Sequence, residues 1–202
     1  NMKKYLLLIL CSSFVFPLTF SRIVTTIDPS SKYTRFEEDL SSGNETETEY
    51  TTSTSFSFAY EHSFINKKIF HFYSGGEFMV SRSALENISL HSIYIKPAIS
   101  MTDDILLFFK LGYSFLNLED KDFPVENGLM VSVGFEYQIT DRLSLGLSHS
   151  SYDLFEETRI IPSGDPWSHQ GFDDDAVPNT KCDLKYNKIG FSIIYGFDLD
   201  KE

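Results

Sequence analysis

The stretch KIGFSIIYGFDL, residues 188–199, alternates along its length: Ile189, Phe191, Ile193, Tyr195, Phe197 and Leu199 fall on one side, and Lys188, Gly190, Ser192 and Gly196 on the other. A period of two belongs to a β-strand, whose successive side chains point to opposite faces. The composition of the two faces decides the fold. A soluble sandwich turns its apolar face inward and carries many charges outside. Here the four residues named on the polar side are two glycines, a serine and a lysine. Small polar residues fill the interior of a narrow barrel, and the apolar face is then left to meet lipid.

The same division recurs upstream. Tyr50, Thr52, Thr54, Phe56, Phe58 and Tyr60 oppose Thr51, Ser53, Ser55, Ser57 and Ala59; Phe70, Phe72, Phe78 and Val80 oppose His71, Gly75 and Glu77. Ile93, Ile95, Ile99 and Met101 oppose Tyr94, Lys96, Ala98 and Ser100; Leu107, Phe109, Leu111, Tyr113 and Phe115 oppose Lys110, Gly112 and Ser114. Leu129, Val131, Val133, Phe135, Tyr137 and Ile139 oppose Ser132, Gly134, Glu136 and Gln138. Seven strands follow, at 49–61, 68–81, 90–101, 105–117, 129–139, 143–154 and 185–199. Strands of roughly 10 to 14 residues suit a tilted membrane crossing better than the ~5 to 6 usual in soluble sheets. Tyr50, Tyr60, Tyr137 and Tyr195 sit where interfacial aromatic girdles are expected. The competing reading is a soluble lipocalin-like barrel or sandwich.

A chain that enters and leaves a barrel on one side needs an even number of strands, so an eighth is expected between Arg22 and Asp39. Arg22–Ile27 or Tyr33–Glu38 would serve, with Pro29 interrupting. Pro97 falls inside the third clear strand, which predicts a bulge near it, and Gly75 with Gly76 reads as a bend where the strand coils. Matching the outward residues predicts three-residue turns at Thr102–Asp104 and Thr140–Arg142. The alternate connections are long and acidic: 119–127, and 155–184 with its run Asp173, Asp174 and Asp175. Glu37, Glu38, Asp39, Glu45, Glu47 and Glu49 read as a further acidic loop. Short turns at one end and long loops at the other are expected to lie in the periplasm and outside the cell, respectively. The acids are read as a solvated surface, or as carboxylates bridged by divalent cations to lipopolysaccharide phosphates.

Composition bounds the rest. The chain has 202 residues, 42% hydrophobic and 23% charged, with 19 Phe and 11 Tyr, which describes one folded domain. Seventeen basic side chains against 29 acidic ones give a formal charge of −12, which excludes a nucleic-acid partner. Residues 1–21 read as a cleaved export signal: Lys3 and Lys4, an apolar run from Tyr5 to Phe16, then Thr19, Phe20 and Ser21 before the cut. Residues 22–202 form the single barrel domain. Cys11 preceded by Ile9 and Leu10 is a poor lipidation site, and Cys182 then stands alone, so neither a disulfide nor a cysteine-rich metal site is expected.

With these features the chain resembles the small eight-stranded outer-membrane barrels of the OmpA, OmpX and OmpW kind. Lys188, Gly190, Ile193 and Tyr195 look like the closing-strand pattern that the barrel-assembly machinery recognises in such proteins, although the chain continues past Phe197 to Glu202. The resemblance implies an all-β, closed antiparallel up-and-down barrel in the outer membrane of a Gram-negative bacterium. It also implies contact with outer-membrane lipid and lipopolysaccharide, and a monomer.

One strand departs from the pattern. Leu143, Leu145 and Leu147 are followed on the same face by His149, Ser151 and Asp153. One explanation is that the strand has left the hydrocarbon by His149. The other is a lipid-facing nucleophile and base. The His, any residue, Ser spacing is similar to that of PagL-type lipid A 3-O-deacylases. That resemblance implies Ser151 as nucleophile and His149 as base. The family's acid has no match at Ser163, so Glu156, Glu157 or Asp183 would have to substitute; Tyr152 stands where the family has an oxyanion-holding Asn.

His71 reads as an interior polar residue or a bulge neighbour rather than a metal ligand, and Trp167 with His169 as part of a loop surface. The sequence therefore supports a non-enzymatic envelope barrel with a packed interior, no open pore and no cofactor or metal, serving a structural, adhesion or surface-interaction role. The alternative is a PagL-like ester hydrolase. A narrow channel for apolar molecules would need an apolar lumen, which the Ser, Gly, Lys and Glu lining disfavours.

Overall fold

The computed structural model describes residues 20–29, 31–39, 43–80, 82–83, 87–118, 125–156 and 180–197. The leader region 1–19, the loop acids and aromatics of 157–179, and the segment after Phe197 lie outside the described residues. Eleven strands are present among the described residues: β1 (Ser21–Asp28), β2 (Ser31–Asp39), β3 (Asn44–Thr52), β4 (Ser55–Asn66), β5 (Phe70–Met79), β6 (Arg82–Ser83), β7 (Asn87–Ser100), β8 (Ile105–Leu118), β9 (Val125–Gln138), β10 (Leu143–Glu156) and β11 (Thr180–Phe197). β1 with β2 makes one wall strand, and β3 with β4 the next. Eight antiparallel wall strands result, and β1 pairs with both β4 and β11, which closes the sheet. The chain is a closed eight-stranded antiparallel β-barrel.

The faces settle the orientation. Phe109, Val133 and Phe191 are 40%, 50% and 51% exposed, whereas Ser132, Lys110 and Gly190 beside them are buried. Across the wall, outward residues pair with outward residues: Phe109 with Val133, Leu107 with Phe135, and Leu147 with Phe191. An apolar band running right round a closed sheet is stable against acyl chains, where the hydrogen-bonded backbone has no free edge.

The expected eighth strand exists, and both candidate segments supply it. Arg22–Ile27 lies in β1 and Tyr33–Glu38 in β2, with Pro29 and residue 30 between them. Opposite, Ser53 and Thr54 separate β3 from β4, and the Thr54 hydroxyl donates to the Pro29 carbonyl at 2.9 Å. Asp28 pairs with Ser55 and Ser31 with Thr52, so both arms skip two residues and their mutual register is kept. All four of these residues are buried. Two residues separate the inward Thr52 from the inward Ser55 where an unbroken alternation has one, so the faces exchange, which corrects the reading of Tyr50 to Tyr60 as one unbroken alternation. Thr52 is inward and Phe56 outward. The cause is Pro29, which has no N–H for the ladder.

Three further expectations change. The register is the same on either side of Pro97, with Ile95 opposite Leu111 and Ala98 opposite Phe108, so no bulge forms there; the ladder to β8 lapses for two pairs and the strand runs straight on. The register shift in this part of the wall is between Ser63 and Ile65. Gly75 is a close-approach residue rather than a bend: a Cβ there would meet the Tyr60 carbonyl at 2.7 Å and the Tyr94 ring at 2.9 Å. The acids from Glu37 to Glu49 stand on a hairpin of β2 and β3, not in a loop. The threonines alternating with Glu45, Glu47 and Glu49 favour extended backbone, and Gly43, at φ 67°, supplies the left-handed residue that leads into β3.

The two short turns form where expected. Met101 N–H donates to the Ile105 carbonyl and Ile139 N–H to that of Leu143, both at 2.8 Å. Thr102 Oγ1 accepts from the amides of Asp104 and Ile105, and Thr140 Oγ1 does the same for Arg142 and Leu143. A threonine opening each turn thus caps its own backbone.

If the apolar band meets lipid, Val133→Arg is expected to lower unfolding stability by about 2–4 kcal/mol. Urea-dependent loss of the heat-modifiable band in lipid vesicles measures this; an unchanged midpoint would mean that Val133 does not face hydrocarbon.

Candidate functional site

Inward parity brings charged residues from seven strands into the middle of the lumen. Arg22 on β1 bonds Glu61 on β4 and reaches across to Glu136 on β9, its Nη1 donating at 2.8 Å. Lys96 on β7 donates to both Glu61 oxygens at 3.1 Å and also pairs with Glu136. Lys110 on β8 lies 3.7 Å from Glu61 and 3.9 Å from Glu77 on β5, and Lys188 on β11 donates to Glu77 at 2.5 Å. Tyr94 donates its hydroxyl to Glu61 at 2.9 Å.

Aromatic faces complete this layer. The Arg22 guanidinium stands 4.0 Å from the Tyr73 ring centre, Lys96 Nζ 4.3 Å from Phe108, and Lys110 Nζ 4.3 Å from Tyr94. Each cation therefore has carboxylate and π partners where water is scarce. Four cations and three carboxylates lie in this layer among the described residues.

Above it, toward the β2–β3 hairpin, the lumen is apolar. Leu90, Met130, Tyr152, Leu154, Leu184 and Tyr186 are buried together there. The expectation of a wholly Ser, Gly, Lys and Glu lining is thus corrected: Met130 and Leu154 share the inward parity of Ser132 and Ser150 but lie nearer the loop end. At the turn end a cavity of about 230 Å³ remains, lined in part by Arg22, His71, Tyr73, Ser100 and Glu136. His71 is interior, its two ring nitrogens bonded to Asn66 Oδ1 at 2.7 Å and Ser100 Oγ at 2.9 Å. Among the described residues, no three His, Cys, Asp or Glu side chains gather as a metal site.

His149 and Ser151 share the outer face of β10, about 7 Å apart along the strand. His149 is exposed between Val133 and Ile189, and Ser151 is half-buried between Val131 and Asn187. No hydrogen bond joins them among the described residues. Asp183 is opposite Phe36, six residues along β11 from Ile189, the partner of His149; that separation is about 20 Å of strand. Glu156 closes β10, seven residues from His149 and beyond a register shift. The side chains of Glu156 and Asp183 lie outside the described residues, as does Glu157. Of the assembly pattern, Lys188 and Gly190 face the lumen while Ile193 and Tyr195 face outward.

The ion-paired layer escaped the sequence reading. Lys96, Lys110, Glu77, Glu136 and Lys188 were each visible as inward, but the partners sit 33 to 114 residues apart in pairs such as Tyr94–Glu61 and Arg22–Glu136. The available signal was parity combined with height along the strands.

This arrangement is that of a small outer-membrane β-barrel: an apolar belt, a lumen crossed by ion pairs, short turns at one end and a tall hairpin at the other. No protein-family model matches the chain, and no curated protein does. Solved structures do. The outer membrane protein AlkL in lipid bilayers is 10% identical, with TM-score 0.52 over 90% of this chain and 92% of that one. Neisserial surface protein A gives 9% identity and 0.45 over 87% and 97%, and Ail of Yersinia pestis 8% and 0.40 over 88% and 99%. At these identities the likeness bears on fold alone, and the AlkL match carries it.

Glu61 holds three cations and a tyrosine in one buried place, so Glu61→Gln, which strands those charges, is expected to cost about 3–5 kcal/mol. Lys32→Ala, which removes the exposed Lys32–Glu49 pair, is expected to cost under about 1 kcal/mol. Paired urea titrations test the contrast, and equal losses would mean that the lumen layer is hydrated.

Proposed function

We propose that this protein is a surface-interaction barrel of the outer membrane of a Gram-negative bacterium, with its lumen closed and its β2–β3 hairpin and long connections outside the cell. The observation that carries the reading is the pairing of a belt for lipid with a filled interior. Arg22 and Glu136 meet across the lumen, and the apolar cluster of Met130, Leu154 and Tyr186 stands above them, which leaves the exterior as the working surface.

The hairpin supports the orientation. Glu45, Glu47 and Glu49 are exposed on the outer side of β3, and three carboxylates there would be costly inside hydrocarbon, so this part of the wall stands in water. Such a tall element at the end opposite the Thr102 and Thr140 turns fits the outer side. In this reading lipopolysaccharide surrounds the belt, and Lys188, Gly190, Ile193 and Tyr195 serve assembly. His149 and Ser151 serve as interfacial residues in this reading, which is supported by the absence of a hydrogen bond between them among the described residues and by the separation of six residues along β11 from Asp183 to Ile189, the partner of His149.

An epitope inserted after Gly43 is expected to be accessible to antibody on intact cells, with the protein in the outer-membrane fraction and heat-modifiable on a gel. Lipid A from the same cells should have an unchanged mass. An epitope reached only after permeabilisation would reverse the orientation. A 3-hydroxyacyl chain lost from lipid A, and restored by Ser151→Ala, would replace this reading with the deacylase.

A further inference from the structure

Among the described residues the sheet closes through its lower part. β3 pairs with β2 on one side and is the last strand in the sheet order, whereas β4, its continuation, is paired on both sides by β1 and β5. Among the described residues, the wall above the Ser53–Thr54 break therefore ends in an edge along Glu45 to Thr51. Between Glu45 and Thr51 every second backbone N–H and C=O points away from β2 with no neighbouring strand among the described residues, and the side chains of 45–47, 49 and 51 are exposed. A free edge of this length is a template for one more strand.

Charge decides which strand. Glu45, Glu47 and Glu49 share the outer face at alternate positions, about 7 Å apart. Glu49 is paired with Lys32 at 2.5 Å, while Glu45 and Glu47 have no ion-pair partner among the described residues, and Glu38 stands opposite Glu45 across the ladder. A second copy laid on this edge with like faces together would set glutamates against glutamates, which is unfavourable. The chain's own connections are also mismatched: 157–179 holds five acids, one arginine and three prolines, and 119–124 holds three acids and one lysine. Acids on an edge also discourage aggregation, and the same row that rejects a like strand selects an unlike one.

We propose that the β3 edge, residues Glu45 to Thr51, binds an extended segment of a partner protein carrying Lys or Arg at alternate positions, which adds as a further strand to the barrel wall. This rests on the surface-interaction reading and names its mode. Backbone bonds supply the geometry, and Glu45 and Glu47 the preference.

The test uses the full-length barrel in lipid nanodiscs and a peptide of about ten residues alternating Lys and Thr. It is expected to bind at least about tenfold more tightly than the Glu and Thr counterpart and to protect amides of 45–51 from hydrogen exchange. Glu45→Lys with Glu47→Lys, both on the exposed hairpin, should reverse the preference, so that the acidic peptide binds and the basic one is lost. A version of the basic peptide N-methylated at alternate amides keeps its charge and cannot complete a ladder. Equal binding by that version, binding without protection of 45–51, or no binding at all would each overturn strand addition. So would edge amides already protected in the free monomer, or a concentration-dependent dimer that buries them. Because the protein is purified, failure here is separate from failure of the antibody assay on cells, which tests whether the hairpin faces outward.

Discussion

Hydrocarbon offers no hydrogen bonds, and the fold answers to that fact. A sheet placed in lipid has to satisfy every N–H and C=O within itself, and only closure removes the last edge. The β1–β11 ladder from Ser21–Phe197 to Ile27–Phe191 is where this happens. It lies within the apolar belt, flanked by Ile23 and Ile27 on one strand and Phe191, Ile193 and Tyr195 on the other. Above the belt, where water can take the place of a partner, the wall is free to stop, and at β3 it does.

Closure creates a second demand, since eight strands enclose a space too narrow to be left to water and too wide to be filled by serine and glycine alone. The chain fills it in layers. The Arg22, Glu61, Lys96 and Glu136 set, faced by the Tyr73 and Phe108 rings, crosses the middle, and Met130, Leu154 and Tyr186 lie toward the hairpin. The middle layer joins walls that are not neighbours in the sheet, so it braces the barrel across its diameter as the ladders brace it around its circumference. Removing one member exposes the others to an unpaired buried charge, a heavier penalty than loss of a single surface pair.

Much of the wall was legible in the sequence because each strand reports its own faces by parity, and a strand such as Leu129–Tyr137 needs no knowledge of its partner to do so. The Thr102 and Thr140 turns were legible for the same reason, since matching outward residues fixes the turn length. What could not be read locally depended on two strands at once. The Pro29 break was visible, but its image at Ser53–Thr54, and the exchange of faces between Thr52 and Phe56, needed the β1–β4 pairing. Pro97 shows the opposite error: a local rule demanded a bulge, and the ladder lapsed instead. The pairing of Arg22 with Glu136 was beyond any local reading. His149 and Ser151 lie on the face that parity assigned them; their chemistry depends on neighbours such as Glu156 and Asp183, whose positions along the strands parity alone does not give.

The paired interruption at Pro29 and Ser53–Thr54 has a mechanical meaning. Both arms omit the same number of places, so whatever stands above the joint is spliced onto the wall without disturbing the staves below it. Such a seam lets the mast be lengthened, shortened or exchanged in matched increments while the hoop of strands in the bilayer stays intact. Variation in what the protein meets can thus accumulate at its tip, decoupled from the requirement that it remain seated in the membrane.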